Sequence, residues 1–253
     1  MQGLINEAEL RALDLSGVRS ILDVGAGLAQ MSRALARAAG PAARVVAIER
    51  DPRQIEEARR QAAAAGEEAL LEIRAGSAED LPLRAEERGT FDLAHARFLL
   101  EHIPDPLAVV REMVAAVRPG GRIVLVDDDH ELLRTWPPLP ALMHAWETYW
   151  RSYARHGCDP LVGRRLAELL HDAGAAPHRV TAVFYGACRG MEVFDPVVEN
   201  LRGVLRSAAD GLAEAGLFSA DDMRSALAAT EEWSRHPAAT IWYSLPLAEG
   251  RVN

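Results

Sequence analysis

The chain has 253 residues with 37 acidic against 28 basic side chains, a formal net charge of −9, and enough length to bury a full core in one large domain. That negative balance disfavours a nonspecific nucleic-acid or acidic-membrane surface, and two cysteines, Cys158 and Cys188, are too few for a disulfide framework or a thiolate zinc cluster. No secretory leader or apolar run of transmembrane length stands out, so a cytoplasmic protein is expected, and the Ala- and Arg-rich, Lys-poor usage is that of a high-GC bacterium.

Leu4, Ala8, Ala12 and Leu15 share one helical face, which predicts a short amphipathic helix covering a sheet edge. Ser20 to Val24 reads as a buried parallel strand. It runs into Gly25-Ala26-Gly27, where two missing Cβ atoms let the backbone turn tightly and approach a ligand. Leu28 to Ala39 spaces Leu28, Met31, Leu35 and Ala38 as a helix and stops at Gly40. The loop thus opens on a helix N-terminus, whose free N–H groups and positive dipole end favour a carboxylate or a phosphate. Asp23 narrows the choice. Gln30 stands where a G-x-G-x-x-G dinucleotide fingerprint needs its last glycine, and an acid at the strand end would repel a pyrophosphate but suit a cation.

Arg44 to Glu49 is a second β-branched strand, and Asp51-Pro52 caps a helix running to about Ala65 and closed by Gly66. Glu49, at the strand end beside Arg50, is placed to accept both hydroxyls of a ribose. Leu70 to Arg74, Phe91 to His95 and Arg122 to Asp127 supply three more strands, with a helix opened by Asp105-Pro106 and ending near Val117 before the last of them. Strands and helices alternate at βαβ spacing, which predicts a doubly wound parallel sheet with ligands at the carboxyl ends of its strands.

Four of these segments carry a resemblance. LDVGAGLA (Leu22 to Ala29) resembles the first motif of class I S-adenosylmethionine-dependent methyltransferases, with Ala29 where a third glycine is common. AGSAEDLPL (Ala75 to Leu83) is similar to the family's adenine-side motif, although Ser77 stands where Asp is common. FDLAHARFLLEHIPDP and VRPGGRIVLVD resemble the fourth-strand motif and the turn entering the fifth strand, so the likeness covers roughly residues 15 to 130. It implies an α/β, Rossmann-like, doubly wound seven-stranded sheet, mostly parallel with the last strand antiparallel, in one domain over residues 1–253. Residues 16–130 would form the cofactor core. The implied cofactor is S-adenosylmethionine, with no metal. Asp23, Gly25, Ala26 and Gly27 would hold its methionyl end, Glu49 and Arg50 its ribose, and Ser77, Ala78 and Glu79 its adenine. His95 and Arg97 would form the floor under the methionyl group, His95 acting through its backbone carbonyl.

Past Asp129 the alternation breaks. Trp136-Pro137-Pro138-Leu139-Pro140 reads as a rigid linker, followed by a helix with Leu142, Trp146, Tyr149, Trp150 and Tyr153 on one broad face. Five of the chain's aromatic residues, Trp136, Trp146, Tyr149, Trp150 and Tyr153, crowd this stretch and are candidates for an acceptor wall, a plain packing face being the alternative. Asp159-Pro160 opens a helix ending at Gly174 before a sixth strand over Arg179 to Tyr185. Asp195-Pro196 starts another helix to about Ala215. Ser219 with Asp222 caps one more, closed by Pro237, and Ala239 to Leu245 is the last strand. Residues 131–175 and 190–237 are then helical lid insertions.

Candidate bases near the strand ends are Asp129, His130, His144, Tyr149 and His156. His130 comes first because it directly follows the fifth strand, the alternative being a solvated ion-pair partner of Asp127, Asp128 and Asp129. Neither an Asn-Pro-Pro-Tyr motif nor a Pro-Cys nucleophile is present, which favours methyl transfer to oxygen, nitrogen or carbon of a small molecule over nucleic acid. A cyclase or other non-methylating enzyme on the same scaffold, or a non-catalytic cofactor-binding protein, are the rival readings, and a monomer or homodimer is expected.

Overall fold

The computed structural model describes residues 2–253, with side chains from Ile5 onward. The first half runs α1 (Gln2–Ala12), β1 (Ser20–Val24), α2 (Gln30–Ala39), β2 (Arg44–Glu49), α3 (Pro52–Ala64), β3 (Glu72–Ala75), β4 (Phe91–Arg97), α4 (Pro106–Ala116) and β5 (Val117–Val126). The second half runs β6 (Arg134–Trp136), α5 (Pro140–Arg151), α6 (Leu166–Asp172), β7 (Ala175–Cys188), α7 (Phe194–Glu214), α8 (Ala220–Ser234) and β8 (Thr240–Val252).

Strands β3, β2, β1, β4 and β5 lie parallel in that order, so the chain reverses direction across the sheet between β1 and β4. The carboxyl ends beside this reversal are where an open α/β sheet leaves a crevice for a ligand. β8 runs antiparallel to β5 through Leu247–Arg251 and to β7 along its whole length. Side chains alternate across the sheet. Ile21 and Leu93 enter one core with α1, α2, α5, α7 and α8, while Leu22 and Ala94 enter the other with α4 and α6. Asp23 and His95 therefore point toward the α1 side, which matters for the site.

The sheet has eight strands where seven were expected. The eighth is β6, three residues whose last, Trp136, opens the stretch read as a rigid linker. It pairs Arg134 to Trp136 with the start of β8 and stops at Pro137 and Pro138, which have no N–H to continue a ladder. Helix α2 starts at Gln30 rather than Leu28 because Ala29 turns through φ 53°, the left-handed region that an alanine enters at a cost of about 1–2 kcal/mol. β5 starts earlier than expected, at Val117, which pairs with Phe91 before a bulge at the Pro-Gly-Gly turn. Between Asp159 and Gly174 only Leu166–Asp172 is α-helical, preceded by a 3-10 turn at Val162–Arg165. α6 covers the sheet beside α4, whereas α5, α7 and α8 pack on one another. α7 begins at Phe194, and Asp195 pairs with Arg189 instead of capping it.

The turn before α6 is locked to the end of β5. Gly163 N–H donates to the Asp128 carbonyl at 2.9 Å, and a Cβ there would lie 2.7 Å from the carbonyl oxygens of both Asp127 and Asp128. Backbone cannot yield as a flexible side chain can. Gly163→Ala is expected to destabilise the chain by about 1–3 kcal/mol, read as a lowered midpoint in urea unfolding.

Candidate active site

At the carboxyl end of β1, Gly25 turns at φ +71°, and a Cβ there would meet Leu99 at 2.7 Å. Gly76, after β3, faces Pro82 just as closely at 2.5 Å. These two positions accept only glycine without rearrangement, and between them lies a cavity of about 480 Å³, a volume suited to one small organic ligand. Glu49 organises its near wall. Its Oε2 accepts from Gly27 N–H at 2.8 Å, and its Oε1 accepts from the N–H groups of Arg50 and Asp51 at 2.9 Å each. The carboxylate is thereby fixed at the strand end while tying the glycine loop to β2.

Beneath the cavity lies a buried charged network. The His95 ring joins Asp23 Oδ1 through Nδ1 at 2.7 Å and Glu9 Oε1 through Nε2 at 2.6 Å, all three residues being almost fully buried. Ser32 donates to the other Asp23 oxygen, and Arg97 donates to Glu9 at 2.9 Å and to Asn6 at 2.8 Å. Burial alone would depress the His95 pKa, but the Glu9 and Asp23 carboxylates outweigh it and hold it up, from 6.5 to about 9. Glu9 moves the other way: burial raises its pKa, yet His95 and Arg97 leave it lowered overall. His95 is thus an imidazolium at neutral pH.

A second polar cluster sits past the ends of β4 and β5. Asp127 Oδ2 accepts from the N–H groups of Leu99 and Leu100 at 3.1 and 2.7 Å, and its Oδ1 accepts from Asp128 N–H at 3.0 Å. That holds the 3-10 turn Leu100–His102 so that Glu101 points inward, where its Oε2 and His130 Nε2 share a hydrogen bond of 2.6 Å. Tyr243 donates its hydroxyl to Asp128 Oδ1 at 2.6 Å. Burial, then mutual repulsion, pushes Glu101 and Asp128 up to about 8 and Asp127 up to about 7. His130 is 3% exposed, and its Nδ1 has no hydrogen-bond partner among the described residues. Its ring is enclosed by Trp146, Tyr149 and Tyr153 at 5.1, 6.0 and 5.7 Å between centroids. His102, which lines the cavity and stacks on Tyr153, connects the two regions.

Residues 1–180 match the family described as "Methyltransferase domain". The chain belongs to the class I S-adenosylmethionine-dependent methyltransferases. Among relatives, it is 37% identical to a ubiquinone biosynthesis O-methyltransferase of Xanthomonas euvesicatoria, over 68% of this chain and 69% of that one. It is 31% identical to an uncharacterized 37.1 kDa protein of a Streptomyces fradiae transposon over 93% of this chain, a match that spans 62% of that relative's length. Among solved structures, a candidate methyltransferase of Bacillus halodurans superposes with a TM-score of 0.61 at 16% identity, covering 98% of this chain and 97% of that one, which bears on the fold alone.

S-adenosylmethionine is the cofactor of this methyltransferase family, and the cavity suits it. Two carboxylates, Asp23 and Glu49, line a space where one would suit an ammonium and the other ribose hydroxyls, and the left-handed glycines leave backbone rather than side chain facing the ligand. Gly25, Ala26, Gly27, Arg50, Ser77, Ala78, His95 and Arg97 also line it. Glu79 does not: it is exposed, its N–H donating to Ser77 Oγ at 3.2 Å. The His95 side chain, which carried no expectation of its own, holds Asp23 and α1 in place. Glu9, Asn6 and Phe98 carried no sequence expectation, and His102, which reads from the sequence as a structural helix-start residue, also lines the cavity. Only Phe98 adopts the left-handed region besides Ala29 among non-glycine residues described, a strained turn at φ 53° on the cavity wall. Of the aromatic candidates, Trp146 and Trp150 are core, Trp146 donating to the His130 carbonyl at 3.0 Å. Trp136 is 59% exposed on β6, away from the cavity lining, because the edge strand turns it to solvent. Tyr149 and Tyr153, joined hydroxyl to hydroxyl at 2.7 Å, are the pair beside His130. His130 is not a solvated ion-pair partner. Asp129 is taken by Arg164 at 2.7 and 2.9 Å, His144 packs on Phe218, and His156 is exposed.

Glu49→Gln replaces one accepting oxygen by a donor facing backbone N–H groups. It is expected to weaken S-adenosylhomocysteine binding at least tenfold by calorimetry, roughly the 1.4 kcal/mol of one hydrogen bond, with the far-UV spectrum unchanged. The raised His95 pKa sets a second expectation. A group whose folded pKa is raised contributes stability in full below its ordinary value of 6.5 and loses it as pH rises through about 9. The melting temperature should therefore fall between pH 7 and 10, and His95→Asn should flatten that fall.

Proposed function

We propose that the protein methylates a hydroxyl oxygen of a small ring-bearing acceptor, held between the mouth of the cofactor cavity and the Tyr149–Tyr153 pair. The observation that carries this reading is the buried Glu101–His130 hydrogen bond, with His130 Nδ1 left unpartnered inside an aromatic enclosure next to the cavity. The O-methyltransferase name of the Xanthomonas relative supports oxygen over nitrogen or carbon. Helices α5, α7 and α8, packed on one another, would form the lid over that acceptor.

Bound S-adenosylmethionine supplies an electrophilic sulfonium methyl group, displaced in line as the sulfonium becomes a neutral thioether. The chain supplies the rest. Glu49 holds the ribose, the Ser77–Ala78 backbone and hydroxyl face the adenine, and Asp23, kept in place by His95 and Ser32, faces the methionyl ammonium. Alignment of donor and acceptor accounts for much of the acceleration in such a displacement. Ionised Glu101 accepts from His130 Nε2–H and fixes the ring, leaving Nδ1 as the acceptor that takes the substrate's hydroxyl proton. Tyr149 and Tyr153 keep water from the aligned pair.

Incubation with methyl-labelled S-adenosylmethionine and a panel of hydroxylated aromatic and quinol acceptors is expected to yield labelled methyl ethers. Label remaining wholly on the cofactor or its by-products across the panel would contradict the reading and favour the cyclase or binding-protein alternatives. His130→Ala should lower methyl transfer by roughly 10²–10⁴-fold while S-adenosylhomocysteine affinity stays within about twofold.

A further inference from the structure

We propose that Glu101, Asp128 and His130 bind one divalent transition-metal ion, of the manganese or zinc kind, beside the cofactor cavity. The inference rests on the acceptor reading only in placing that ion next to the hydroxyl. The three residues come from two separate segments, and one donor atom from each lies within 4.8 Å of the others. His130 Nε2 is 2.6 Å from Glu101 Oε2 and 3.9 Å from Asp128 Oδ2. An ion about 2.1 Å from each donor separates neighbouring donors by about 3 Å and opposite ones by about 4.2 Å. The His130–Asp128 spacing falls within that range, and the Glu101–His130 contact enters it on opening by a few tenths of an ångström.

The surroundings single out these atoms. Asp127 is occupied by three backbone N–H groups and Asp129 by Arg164, so neither competes for the ion. Tyr243 holds Asp128 through Oδ1 and leaves Oδ2 as the oxygen nearer His130. Among the described residues no arginine pairs with Glu101 or Asp128, whose only ionic neighbours within 4 Å are His102 and His130. Two buried carboxylates without a counter-cation are costly, and a bound divalent ion removes that cost.

His130 gives an independent reason. Its ring is 3% exposed and turns Nε2 into the cluster, while Nδ1 has no hydrogen-bond partner among the described residues. A neutral imidazole that ligates through Nε2 carries its proton on Nδ1, and metal-bound histidines find an acceptor for that proton. Here that proton would face the enclosure of Trp146, Tyr149 and Tyr153. Two carboxylates with one imidazole suit manganese, iron or zinc better than magnesium, which prefers oxygen alone. An ion held through Nε2 would leave the proton on Nδ1, so the base role given above to His130 belongs to the metal-free protein.

Metal-depleted full-length protein equilibrated separately with Mn²⁺ and Zn²⁺, followed by dialysis and elemental analysis, tests this directly. One ion per chain is expected for the wild type, with at least tenfold weaker binding in Glu101→Gln and Asp128→Asn. Both variants should keep S-adenosylhomocysteine affinity within about twofold, which shows that they fold. No stoichiometric uptake of either ion by the wild type, or uptake in both variants as tight as in the wild type, overturns the proposal. Cofactor affinity measured on the same samples separates failure of the ion site from failure of the methyltransferase reading.

Discussion

One buried cation, the His95 imidazolium, sits between two buried carboxylates, and the cofactor end of the molecule is arranged around it. Glu9 comes from α1, Asp23 from β1, and His95 from β4, so a single ring joins the N-terminal helix to the two central strands. Ser32 on α2 and Arg97 at the end of β4 complete the network. Removing one partner from a buried ion pair leaves an uncompensated charge at a cost of about 3–5 kcal/mol, so such a network persists as a whole. Its effect on function is positional: Asp23 cannot swing into the cavity or away from it.

The two polar clusters at the strand ends differ in charge balance, and that difference assigns their roles. Around His95, two carboxylates face an imidazolium and a guanidinium, and every donor has an acceptor at hand. In the other cluster, Glu101 and Asp128 have imidazoles as their only ionic partners among the described residues and Asp127 has backbone N–H groups, and burial with like-charge repulsion drives all three toward the protonated form. A balanced network holds a site in shape. An unbalanced one is poised to exchange a proton or accept a cation. The first underlies the cofactor cavity and the second adjoins it through His102.

Much of the fold was legible because its signals are local. β1 and β2 fall on Ser20–Val24 and Arg44–Glu49 as read, since strands buried on both faces are continuous apolar runs between turn residues. Asp51 and Ser219 cap α3 and α8 through their own side chains, a contact spanning two or three residues. Glu9 was illegible for the opposite reason. A short helix with apolar spacing looks like a cover, and its one buried acid meets His95 86 positions later. β6 was hidden by the prolines that follow it. The aromatic stretch from Trp136 to Tyr153 carries one periodicity, yet Trp146 and Trp150 became core while Tyr149 and Tyr153 flank the His130 ring, because tertiary packing decides which part of a broad face is covered. A signal for the acidic cluster did exist: Asp127 to His130 follows a buried strand with no basic residue beside it, and a strand end so placed seldom reaches solvent.

In the reading proposed above, the strand ends around the β1–β4 reversal form a single S-adenosylmethionine site. Calorimetric titration of the wild-type chain with S-adenosylhomocysteine, run beside NADH as the rival nucleotide, tests it most directly. The account predicts one saturable site per chain for S-adenosylhomocysteine and no heat from NADH; saturable NADH binding without S-adenosylhomocysteine binding would contradict it.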